Sequence, residues 1–250
     1  MDVVDAHWER RNLGVTCVEV TVEPGDSVDE VAEVVDGLAH GYQVVKVPTA
    51  SVGVMHCLAD RGFEFLEASV SVEHSLRTLT ATPIVARLAA ATEILRVPGE
   101  RLGEVTDRIH RGMFDTDRVY IDAHFTAVQA ATRYANWIRD EVDRGAAVYE
   151  LEYGREPIGF YLFREGLNGT GLSALSGLYD RVNTPGMGLV LLYKILEEGI
   201  RRGMGRLSSK ISTNNLAVVK THAALGFSVT DIHYVYVRHR EEERQSHGES

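Results

Sequence analysis

Two stretches of this chain match one another without a gap. Lys46, Thr49, Val54, Ala59 and Gly62-Phe63 recur, at a constant offset, as Lys210, Thr213, Val218, Ala223 and Gly226-Phe227. Each stretch reads as strand, capped helix, Gly-Phe, strand. Glycine follows the helix where a left-handed residue closes it, and phenylalanine opens the next strand facing the core. The pattern stands either for a duplication or for two independent instances of a common strand–helix–strand unit. Either way it directs the chain towards a layered α/β architecture.

The flanking segments extend that pattern. Residues 15–22 are β-branched and read as a strand ended by Pro24-Gly25. Asp26 or Ser27 then caps a helix in which Val28, Val31, Val34, Val35 and Leu38 recur at helical spacing. A strand over 42–47 stops at Pro48, Ser51 caps a second helix with Val54, Met55 and Leu58 on its apolar face, and 63–75 is strand again. Residues 81–97 show no clear period, and Pro98-Gly99 after them is read as a domain junction. Helices are expected over 102–113 and 126–142, a hairpin over 147–163 turning at Gly154-Arg155, and a strand over 172–179. Helix 188–202, strand 206–213, helix 216–225 and strand 228–237 complete a mixed α/β order. The expected parts are an N-terminal α/β region over 1–97, a second domain over 98–240 and a polar, frayed tail over 241–250.

Composition narrows the function classes. A formal net charge of -10 argues against broad electrostatic affinity for nucleic acid or anionic membranes. No stretch has the length of a membrane span, and no secretory signal is expected from the residues at the N-terminus. Cys17 and Cys57 lie in no CxxC or Cys/His cluster, so no metal site is expected, and their scarcity suits a reducing, cytoplasmic setting with free thiols.

The two matching stretches differ in what precedes them. The second follows Asn183-Thr184-Pro185-Gly186-Met187-Gly188, whereas the first follows Pro24-Gly25-Asp26-Ser27-Val28-Asp29, with two carboxylates and no repeated glycine. Thr184 can cap a helix whose first residue is Pro185. Gly186, Met187 and Gly188 then present backbone N–H groups to an anion, aided by the helix dipole. A dinucleotide fingerprint would need glycine at Leu191, and a P-loop would need lysine at Leu189, so neither pattern is met. The second stretch also has a titratable His222 where the first has Leu58.

The Gly-x-Gly helix start, followed by strand and then by Asn215, Val218, His222, Gly226 and Phe227 with Ala217 one place early, resembles the GNAT superfamily of acyl-CoA N-acyltransferases. The resemblance covers roughly residues 100–238. Phe114-Asp115-Thr116-Asp117-Arg118 and Tyr134-Ala135-Asn136-Trp137-Ile138 are similar to its TDP-fucosamine acetyltransferase branch, whose members carry an extra N-terminal region without the loop. The resemblance implies a GNAT-like mixed sheet flanked by helices, preceded by a degenerate GNAT-like α/β region. It implies acetyl transfer from acetyl-CoA to the amine of a nucleotide-linked (TDP) deoxyamino sugar.

On that resemblance, acetyl-CoA is expected at Leu178, Tyr179, Asn183, Thr184, Gly186, Met187, Gly188, Leu189, Asn215 and His222. A backbone N–H near Leu178 or Tyr179 would bind the thioester carbonyl, and Asn215 would contact the pantetheine arm. His222 stands where the family commonly has a tyrosine acid, with Tyr179, His233, Tyr193 and Tyr234 in reserve. The acceptor side is expected at Phe114, Arg118, Tyr120, His124 and Glu150; Asp122, His124 and Glu150 are base candidates, and water is the alternative. Other readings stay open: another small amine of a natural-product pathway, a protein N-terminus, or a non-catalytic acyl-CoA-binding module. The apolar helix faces of the N-terminal region need burial, against the second domain or in a homodimer.

Overall fold

The structure, a computed structural model, describes residues 1–180 and 184–241. Asn183 and nearly all of the expected tail lie outside the described residues. In chain order the elements are β1 (Asp2–Asp5), α1 (Trp8–Leu13), β2 (Cys17–Thr21), α2 (Val28–Gly37), β3 (Tyr42–Pro48), α3 (Val52–Asp60) and β4 (Glu64–His74). Then come α4 (Pro83–Ala90), β5 (Thr92–Arg96), α5 (Leu102–Ile109), α6 (Arg118–Ile121), α7 (Ala127–Asp143), β6 (Ala147–Tyr153) and β7 (Glu156–Glu165). The chain closes with β8 (Thr170–Leu178), α8 (Met187–Arg201), β9 (Arg206–Ser212), α9 (Leu216–Ala224) and β10 (Ser228–His239).

Two compact units emerge. The first joins Met1–Ala68 to the chain from Ile232 onward, and the second is Ser69–Asp231. Pro98-Gly99, read from sequence as a junction, lies inside the second unit, where the Val97 N–H carries the pairing of β5 onward to the Val148 carbonyl.

In the first unit β1 runs antiparallel to β2, β2 parallel to β3, and the end of β10 antiparallel to β3. Val18, Val20, Val45 and Val47 from the strands meet Val31 and Val35 of α2 and Val54 and Leu58 of α3 in one core. Helix α2 starts where it does because Ser27 and Glu30 cap it reciprocally. The Ser27 Oγ accepts from the Glu30 N–H at 3.2 Å, and the Glu30 carboxylate accepts from the Ser27 N–H at 2.8 Å.

The second unit holds a sheet in the order β4-β9-β8-β7-β6-β5. Strands β8 and β9 are parallel and every other pair is antiparallel. One face packs against α4 and α8 through Ala89, Leu151, Phe163, Val190, Ile195 and Leu207. The other packs against α5 and α7 through Val105, Ile109, Tyr134, Ile138, Phe160 and Leu162. This is the expected mixed sheet flanked by helices. Residues 81–97, without a readable period, form α4 behind its Thr82 cap and then the edge strand β5. Each is too short to establish a period alone. Among the described residues no helix is long and apolar enough to cross a membrane.

Candidate functional site

Strands β8 and β9 begin side by side and then part. Their parallel pairing covers Thr170↔Arg206, Gly171↔Leu207 and Leu172↔Ser208, yet β8 continues to Leu178 and β9 to Ser212. On its other side β8 stays paired with β7 as far as Gly159↔Leu178. The Tyr179 N–H donates to the Ile158 carbonyl at 2.9 Å, so it is spent on β7 and cannot serve a thioester. Successive N–H groups of a strand alternate in direction. The Leu178 N–H, and the Ser176 N–H two residues earlier, therefore face the gap towards β9. Of the two donors expected from sequence, Leu178 alone is free of β7.

After β8 comes α8, whose start differs from the one expected from sequence. Thr184 does not cap the helix. Its hydroxyl donates to the Asp180 carbonyl, and Gly186, in the left-handed conformation at φ 78°, takes the N-cap position, with Met187 rather than Pro185 as first helical residue. The Met187 N–H donates to the Thr184 carbonyl at 3.2 Å, and the Leu189 N–H to the Gly186 carbonyl at 3.1 Å. The Gly188 N–H makes no hydrogen bond among the described residues. It is the donor left for an anion, and Val190 is buried in the core. A Cβ at Gly186 or Gly188 would meet no atom of the described residues within 4 Å, so among these both glycines border open space. Met187 turns its side chain into the core.

Asn215 caps α9, its Oδ1 accepting from the Val218 N–H at 3.1 Å. That use engages the oxygen of the side chain expected to contact a pantetheine arm. His222 is buried on the same helix, edge-on to Phe227 at 4.7 Å between ring centroids. Its Nδ1 lies 2.8 Å from the Val218 carbonyl. A carbonyl only accepts, so Nδ1 carries the proton and Nε2 presents a lone pair. Burial lowers the imidazole pKa, opposed by that hydrogen bond. Neutral His222 is therefore an acceptor at Nε2, the opposite of the acid expected there.

Tyr179 lies on the α5/α7 side, its hydroxyl donating to the Glu150 carboxylate at 2.9 Å and its ring under the Arg108 guanidinium at 4.7 Å. Burial raises its pKa, with the Glu150 carboxylate adding to the shift, so the phenol keeps its proton. Glu150 has no exposed surface and also accepts from Arg101 (3.2 Å) and Arg108. Both carboxylate oxygens are thus engaged, which speaks against the role of free base. Phe114 stacks on Tyr134 at 4.2 Å. Arg118 and Tyr120 ride on α6, the first buried and the second exposed, and His124 is exposed beside buried Asp122 at 3.1 Å. None of the five expected acceptor residues lines the cleft of about 470 Å³ at the end of β8, which is walled by Arg108, Arg111, Met113, Pro157, Tyr179 and Asp180. Arg111 and Met113 follow α5 with no spacing signal, so the sequence reading passed them over.

No protein-family model and no curated protein matches the sequence. Solved structures do match. A GCN5-related N-acetyltransferase from Sphaerobacter thermophilus aligns over 95% of this chain and 75% of its own, at 13% identity and a TM-score of 0.66. A GCN5-related N-acetyltransferase from Kribbella flavida aligns over 89% and 80%, at 10% identity and a TM-score of 0.55. A tandem GNAT protein from the clavulanic acid biosynthesis pathway aligns over 90% and 77%, at 15% identity and a TM-score of 0.53. At such identities the likeness is one of fold. The chain has the mixed α/β fold of the GCN5-related N-acetyltransferases.

Proposed function

We propose that this protein is an N-acyltransferase that moves an acetyl group from acetyl-CoA to a primary amine. One observation carries the reading: β8 leaves β9 after Leu172, so that two backbone N–H groups face an open gap whose far end is the start of α8. The residues suit the co-substrate. Gly188 offers its N–H to the phosphates at the positive end of a helix dipole, and the glycines leave room for them. Acetyl-CoA brings an acyl group activated as a thioester. The Leu178 N–H donates to the carbonyl oxygen as it gains charge. The amine nitrogen forms the new bond to carbon, the carbon–sulfur bond breaks, and water carries the amine proton away, because Glu150 is already engaged.

The favoured acceptor is the amino group of a nucleotide-linked deoxyamino sugar, on the motif resemblance around Phe114 and Tyr134. We further propose a cytoplasmic setting, in keeping with a chain that has two cysteines, Cys17 and Cys57. A non-catalytic acyl-CoA-binding role is the second reading, favoured by the absence of an available proton on Nε2 of neutral His222. Release of free CoA thiol, followed with acetyl-CoA and a panel of nucleotide amino sugars, aminohexoses and aliphatic diamines, separates the two. Amine-dependent thiol release with a mass gain of one acetyl group on the amine supports the transferase. Tight acetyl-CoA binding with no amine acetylated would establish the binder.

A further inference from the structure

Resting on the acyltransferase reading, we propose where the acceptor sits and what it carries. The cavity of about 530 Å³ between β4, β9 and β8, walled by α7, holds an amino sugar bearing a phosphate, with the sugar ring against Trp137 and the phosphate on Lys210.

The two matching stretches make the case. In the first, β2 and β3 stay zipped from Cys17↔Tyr42 to Thr21↔Lys46, and Lys46 Nζ lies 2.6 Å from the Glu19 carboxylate. Lys210 is the counterpart of Lys46. Extending the β8–β9 register by two residues places Ala174 opposite Lys210, as Thr21 is opposite Lys46, and so puts Leu172 where Glu19 stands. The second stretch has therefore kept the lysine and lost its carboxylate. Lys210 has no ion pair among the described residues and lines the cavity that opens where the pairing ends. The cavity's other charges are Arg164 and Glu141, an ion pair at 3.2 Å, which leaves an excess of one positive charge. An anionic group on the ligand matches it.

The rest of the wall is rich in hydroxyls. Ser71, Ser173, Ser208, Ser209 and Thr230 all border the space. Ser209 Oγ donates to the Ser173 carbonyl and Thr230 Oγ1 to the Ser71 carbonyl, each at 3.2 Å, so their remaining lone pairs accept. Ser173 is 93% buried, and its hydroxyl makes no hydrogen bond among the described residues. Opposite them, the half-buried indole of Trp137 supplies a flat apolar wall. A flat apolar face beside a row of small hydroxyls fits a pyranose, whose C–H face is apolar and whose rim is polar. A simple aliphatic amine would leave the hydroxyls and the lysine unanswered.

The chain has two tryptophans, Trp8 and Trp137, so Trp8→Phe isolates the relevant indole. With CoA present, glucosamine 1-phosphate is expected to change the Trp137 fluorescence saturably. Glucosamine, or Lys210→Gln titrated with the phosphate, should need at least about tenfold more ligand, the loss of one charged contact. Putrescine should give no saturable change. Equal responses to putrescine overturn the sugar assignment, and equal responses of glucosamine or of Lys210→Gln overturn the phosphate. No response to any amine, in protein that binds acetyl-CoA by calorimetry, overturns the site. Absence of acetyl-CoA binding would instead strike the underlying reading.

Discussion

His222 shows how one hydrogen bond decides a residue's chemistry. With its Nδ1 proton on the Val218 carbonyl and its pKa lowered by burial, it has no proton to give near neutral pH. His222→Phe should therefore keep turnover within about threefold of the parent, whereas loss of a general acid costs on the order of a hundredfold or more. The same burial links His222 to stability. Unfolded, the imidazole takes up its proton as pH falls past 6.5, while the folded form resists. The native state is therefore favoured by this group above pH 6.5 and loses that advantage as pH falls to the folded value. His74, also lowered by burial, adds in the same direction. The parent's melting temperature should drop on acidification below 6.5, and His222→Phe should show a shallower drop; identical slopes would contradict this. Glu150 is the structural counterpart. Glu150→Ala leaves Arg101 and Arg108 without their shared carboxylate and should cost roughly 3 kcal/mol in urea unfolding, the low end for a broken buried pair because both arginines reach solvent. The positions of Asn215, His222 and Glu150 were legible in the sequence. Their roles were not, because His222 and Asn215 answer to nearby backbone atoms and Glu150 to side chains on α5 and at the end of β8.

Elements carry the next level. The order of elements along the chain, the hairpin and the α7 helix were readable because each rests on a local rule. Thr126 and Gln129 form the capping box that opens α7. The start of α8 was misread for the same reason: Thr184-Pro185 satisfies the local rule for cap and first residue, but the chain enters through Gly186 in the left-handed region. Short elements such as α4, β5 and α6 gave too few turns for any period. The parting of β8 from β9 depends on partners far apart in sequence, so no local pattern records it. Leu178→Pro tests the parting directly, since it removes a donor that β7 does not use. Turnover should fall by about a hundredfold or more, while acetyl-CoA affinity changes far less and Leu178→Ala stays near the parent. Equal losses in kcat for Pro and Ala would remove Leu178 N–H from the chemistry.

For the molecule as a whole, the two stretches predict one acyl-CoA site per chain. The first has fully paired parallel strands, a Lys46–Glu19 ion pair and a helix start closed by Ser27 and Glu30. The second has an open strand pair and a helix start with an unused Gly188 N–H. The measurement to make is a calorimetric titration of acetyl-CoA into the parent and into Gly188→Glu, whose side chain finds open space but sets a carboxylate at the helix start. The parent should bind one acetyl-CoA per chain, and Gly188→Glu, with unchanged circular dichroism, should lose at least about a hundredfold in affinity. No binding by the parent, or equal binding by the variant, would contradict the assignment of the α8 start as the phosphate site.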